Sequence, residues 1–80
     1  MTEGRKQLVE KLILVEKLII EEKDLYEKII KLREFILNSE TWDNLEVDEK
    51  YNLQRQLEAM INYLKALADR IAYYLTETLK

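Results

Sequence analysis

The sequence predicts an all-α protein, an antiparallel helical hairpin that assembles into an oligomeric helical bundle. Its 80 residues include one Gly and no Pro, with 36% charged and 48% hydrophobic residues, a composition that leaves no room for a linker or a disordered tail. Apolar residues recur at helical spacing in both halves of the chain; Leu25, Ile29, Leu32 and Ile36 follow one another at steps of four, three and four, which places them on one stripe of a helix. Between the two halves, Asn38 to Glu46 (NSETWDNLE) is rich in turn and capping residues and reverses the chain.

The first element starts with Thr2 as a weak N-cap and runs from about Arg5 with no breaker before Asn38 and Ser39. Its opening half, LVEKLILVEKLII, carries too many apolar residues for one stripe and has to be covered on more than one side. Its β-branched residues would also suit a short strand. The Glu-Lys pairs six residues apart and the helical flanks favour helix. Four charged residues come together at Glu21 to Asp24; this leaves open whether a short N-terminal helix is separate from a longer second one. At the reversal, Asn38 is suited to the left-handed conformation that ends a helix. Trp42 and Leu45 plug the hairpin end in a short helical turn, and Trp42 reads as a cap on the core in preference to a base-stacking ring.

The second long helix runs from about Val47 to Leu79. Leu57, Leu64 and Ile71 repeat every seven residues, with Leu53, Met60, Leu67 and Tyr74 as a second series and Ile61, Ala68 and Leu75 as a third. That face is wider than a two-stranded seam requires. A hairpin is too thin to bury it alone, and self-association follows. The whole chain, residues 1–80, forms one domain.

A net charge of -3 with acids and bases interleaved offers no broad cationic field for duplex nucleic acid. The apolar segment Leu8 to Ile20 is interrupted by charges and too short to span a membrane, and no signal-peptide pattern is present. With no His and no Cys, imidazole and thiol catalysis and zinc sites built on those ligands are excluded. One Gly at position 4 excludes a Gly-rich phosphate loop. No cofactor or metal is expected, and the Glu pairs read as solvated helix faces. What remains are cations beside apolar faces: Lys28, Lys31 and Arg33 on the first helix and Arg70 on the second. Each suits an exposed ion pair or a phosphate. Tyr26, Tyr63, Tyr73 and Tyr74 offer aromatic faces for bases or for packing.

The segment Glu21 to Ile71 resembles the short helical phage proteins of the second anti-CBASS class. The resemblance is carried by Glu-Glu-Lys, by Lys-Ile-x-Lys-Leu-x-x-Phe-Ile at Lys28 to Ile36, by Ser39 and Leu45, by Gln-Leu-x-Ala-Met-x-x-Tyr at Gln56 to Tyr63, and by Arg70-Ile71. Trp42 stands where the family usually has Phe. The resemblance implies a non-enzymatic sponge, a homohexamer of two trimers that sequesters cyclic di- and trinucleotides in the cytoplasm of the infected bacterial host. It also implies that Lys31 is the phosphate-binding lysine and Arg70 the conserved arginine. Arg33 falls at a contact that is commonly Thr in the family. The family's N-terminal tyrosine has no counterpart before Tyr26; Tyr26 joins Lys31, Arg33 and Arg70 as a candidate ligand-binding residue, and which side chain stacks the base stays open. If the reversal centres near Trp42, Lys31 lies across from about residue 54 and Arg70 lies roughly 24 Å further along, so a shared site has to form between protomers. The alternative is a non-enzymatic helical adaptor or protein-interaction module whose cations are all surface residues.

Overall fold

The structure is a computed structural model that describes residues 2–79. It contains three helices, α1 (Thr2–Asn38), α2 (Glu40–Asp43) and α3 (Val47–Leu79). The two long helices pack against each other as an antiparallel hairpin, as the sequence predicts, and α2 sits at the closed end.

α1 is a single helix of 37 residues, so no separate N-terminal helix precedes a longer one. The charges at Glu21 to Asp24 sustain the helix. Lys17 stands four residues before Glu21, and Asp24 four before Lys28, which sets opposite charges one turn apart on a backbone of good helix formers. At the N-terminus, Thr2 is already the first helical residue, displacing the expected cap.

The exit from α1 also differs from expectation. No described non-glycine residue has a positive φ, so Asn38 does not end the helix in a left-handed turn. Ser39 makes the change of direction in an extended conformation, φ -101 and ψ 130, and its side chain accepts from the backbone N–H groups of Thr41 and Trp42. A second helix begins at once, and its unpaired N–H groups need an acceptor that an extended Ser supplies. Trp42 then packs edge-on against Phe35 at 6.4 Å between ring centroids. Lys50 lies 5.8 Å from the Trp42 ring and donates to the Asp43 carbonyl. Trp42 therefore covers the closed end of the hairpin. Asp48 and Glu49 occupy the first turn of α3, where the helix dipole favours negative charge.

The best-buried core lies towards the open end. Val15 and Leu18 of α1 meet Leu67 and Ile71 of α3, with Leu14, Leu25 and Tyr74 packed around them. Leu67 is 0% exposed. Ile29 is also buried, nearer the closed end, and the rest of the seam is half-buried, as at Leu32, Ile36, Leu53, Leu57 and Leu64.

Two helices make a rod measuring 62 × 14 × 14 Å, with a radius of gyration of 18.1 Å; a compact chain of this length has about 12 Å. Its accessible surface is 6593 Å², whereas a folded monomer of this mass exposes about 5,100 Å². The excess of roughly 1,500 Å² includes a second apolar stripe on α1, turned roughly 100° from the core stripe. Leu8, Leu12, Ile19, Tyr26 and Leu37 lie along it, all exposed, and Leu75 of α3 is exposed on the same flank. No helix among the described residues is long and apolar enough to cross a membrane.

Candidate functional site

The antiparallel packing gives the rod two unlike flanks. On the apolar flank, Tyr26 of α1 and Ile61, Leu64 and Ala68 of α3 line an open groove of about 410 Å³ with Glu22, Lys23 and Lys65 at its edges. On the opposite flank, a groove of about 340 Å³ is lined by Lys17, Glu21, Asp24 and Lys28, the apolar Ile20 and Leu25, and Tyr63 from α3. Helical periodicity separates them. Lys17, Glu21, Asp24 and Lys28 follow at steps of four, three and four beside the core stripe, and Tyr63 and Arg70, seven residues apart, share the corresponding side of α3.

Lys31 and Tyr26 line one shallow groove on the outward surface of α1, with Ile30, Glu27 and Glu34. Both are exposed. Arg33 is exposed as well, but two residues on a helix turn it roughly 200° from Lys31. It therefore projects from the other side of α1. Arg70 is exposed on α3. Glu21 meets Tyr63, and Val15 and Leu18 meet Leu67 and Ile71, so Lys31 stands level with about Gln54 and Arg70 with about Val15. The axial distance between Lys31 and Arg70 is therefore roughly 24 Å. Within one protomer Tyr26 and Lys31 share one shallow groove, and the fold keeps both Arg33 and Arg70 away from it.

The hydroxyl of Tyr63 donates to Oε1 of Glu21, a side-chain bond between the two long helices. That bond, with partial desolvation and the charge of the same carboxylate, holds the Tyr63 phenol above its usual 10.0, while the positive charge of Arg70 pulls it down. Arg70 thus acts on the environment of Tyr63 from two turns along α3. Residue type alone places Glu21 and Asp24 on a solvated helix face and gives Lys17 no special role. The spacing Lys17, Glu21, Asp24, Lys28 was the available signal, since it flanks the core stripe on the side where a partner helix arrives. Among the described residues, no group of three or more His, Cys, Asp or Glu is placed to hold a metal ion.

A slender two-helix rod with one flank of mixed charge and another of uncovered apolar side chains defines an all-α helical-hairpin protein. The chain belongs to the Sequestin family, whose model matches residues 14–73. This is the family of phage anti-CBASS sponges for cyclic nucleotides, proteins that sequester and do not catalyse. The matched span contains Tyr26, Lys31, Arg33 and Arg70. Neither a comparison with curated proteins nor one with solved structures gives a match.

Proposed function

We propose that this chain is a phage sponge that binds cyclic di- and trinucleotides made by bacterial immune cyclases and holds them uncleaved in the cytoplasm of the infected host. The observation that carries this reading is the family match over residues 14–73, which includes both Lys31 and Arg70. Lys31 and Arg70 supply charge to phosphates, Tyr26 at the edge of the same groove as Lys31 supplies a face for a base, and Arg33 adds a cation on the far side of α1. The roughly 24 Å between Lys31 and Arg70 supports a site built where protomers meet. The exposed apolar stripe supports self-association into the hexamer, and the roughly 1,500 Å² of excess surface exceeds the 800 Å² or so that each partner gives to an ordinary stable interface.

Isothermal titration calorimetry with a panel including cyclic di-GMP, cyclic GMP–AMP and cyclic tri-AMP tests the proposal. The expected result is tight binding that Lys31→Ala and Arg70→Ala each weaken at least tenfold, with intact nucleotide recovered after heat denaturation. Silence across the panel favours the helical adaptor, and recovery of linearised nucleotide overturns storage.

A further inference from the structure

We infer that the Tyr63 hydroxyl, with Lys17 and Lys28 on either side, receives one phosphate of the cyclic nucleotide, and that the Glu21 carboxylate holds that place until the ligand displaces it. The inference rests on the proposed sponge function and assigns further residues to the flank that carries Arg70.

Tyr63 and Glu21 are both exposed, yet the phenol turns to the carboxylate across the helix interface. A phenol O–H bound to a carboxylate oxygen is chemically close to a phenol O–H bound to a phosphate oxygen, since both acceptors are terminal oxygens of an anionic group, on a trigonal carbon in one and a tetrahedral phosphorus in the other. The surroundings favour the larger anion. Lys17 lies one helical turn before Glu21 and Lys28 two turns after it, and both line the same groove. Arg70 is near enough for its charge to act on the phenol. Against these three cations stand Glu21 and Asp24. When Glu21 swings into solvent its charge is screened by water, and the balance at the groove shifts towards the cations where a phosphate would enter. Ile20 and Leu25 add an apolar floor for the sugar or base edge. Lys31 follows Lys28 by three residues, so the cations of this flank lead from Arg70 towards the Lys31 surface.

An internal carboxylate on the binding donor has a definite consequence: it competes with the ligand. Glu21→Gln retains an oxygen that accepts from Tyr63 and removes the negative charge, whereas Tyr63→Phe removes the donor. Calorimetry on the full chain with cyclic GMP–AMP and with cyclic tri-AMP, and circular-dichroism melts of each variant, distinguish the roles. Glu21→Gln is expected to tighten binding about threefold to tenfold and Tyr63→Phe to weaken it about tenfold, the size of one charge-assisted hydrogen bond. Affinities unchanged in both variants, or weakened in Glu21→Gln, overturn the inference and leave the sponge standing. Wild-type protein that binds neither nucleotide overturns both.

Discussion

Tyr63 and Glu21 are the polar clasp of the hairpin: a phenol on α3 donates to a carboxylate on α1 midway along a rod whose other cross-helix contacts are chiefly apolar. The bond to a negative acceptor disfavours the phenolate, which is why the phenol titrates above 10.0. A group whose proton is held more tightly in the folded state adds stability below its unfolded pKa and loses it as pH rises through the folded one. The melting temperature of the wild type should therefore fall towards that of Tyr63→Phe as pH rises above 10.0. A difference absorbance titration of the two proteins should isolate one phenol ionising late. In Glu21→Gln that ionisation should move down.

Leu67 tests how much the small core contributes. It has 0% exposure and packs with Val15, Leu18 and Ile71, so Leu67→Ala removes a fully buried side chain and leaves a void. The expected loss is about 2–5 kcal/mol, measured by urea denaturation at fixed protein concentration. Leu37→Ala, at a residue 64% exposed near the hairpin end, should change monomer stability by less than about 0.5 kcal/mol.

These side chains show where the sequence was readable. The heptad series that run through Leu67, Ile71 and Tyr74 marked the core of α3 because period alone decides which positions face a neighbouring helix. The reversal at residues 38–46 was equally plain, since capping residues cluster nowhere else. The exit from α1 was misassigned. Asn38 was expected to turn left-handed, but the cap that α2 needs is supplied by extended Ser39. The charges at Glu21 to Asp24 left a break open, and the structure closes that question with one continuous helix in which opposite charges stand one turn apart. Site residues were harder to read. Side-chain type marks Lys31 and Tyr26 as capable of binding, but five residues turn them about 140° apart on α1, and they share only the edges of one shallow groove. The Tyr63–Glu21 bond depends on hairpin register, which no single-helix pattern contains. A joint site for Lys31 and Arg70 requires a second protomer.

Ser39 satisfies two backbone donors of α2 with one hydroxyl, so Ser39→Ala should cost about 1 kcal/mol. Because α2 carries Trp42 onto Phe35, indole fluorescence should report the loss locally, with the emission moving to longer wavelength as the ring gains water. Ser39→Asp should retain most of the stability, since its carboxylate both accepts from the same N–H groups and meets the positive end of the helix.

Gly4 lies within the first turns of α1, does not have a positive φ, and a Cβ placed there meets nothing within 4 Å. Gly4→Ala should therefore stabilise α1 by up to about 1 kcal/mol, mostly by restricting the unfolded chain. The gain should appear as higher helicity at residues 2–12 by hydrogen exchange.

The exposed stripe through Leu12, Ile19 and Tyr26 carries the case for assembly, and a charge placed in its middle should break it. Ile19 is 46% exposed in the hairpin, so Ile19→Glu costs the isolated protomer little; inside an interface between copies the same carboxylate would be buried without a partner, a penalty of several kcal/mol. Sedimentation velocity should show Ile19→Glu moving towards monomer at concentrations where the wild type is assembled. Its melting temperature should also lose the concentration dependence expected of the wild type, because association stabilises the folded chain by mass action. Glu27→Gln, on the outward surface of α1, should leave both measurements unchanged. A wild-type chain that sediments as a stable monomer would leave the apolar flank uncovered and remove the basis for a site shared between protomers.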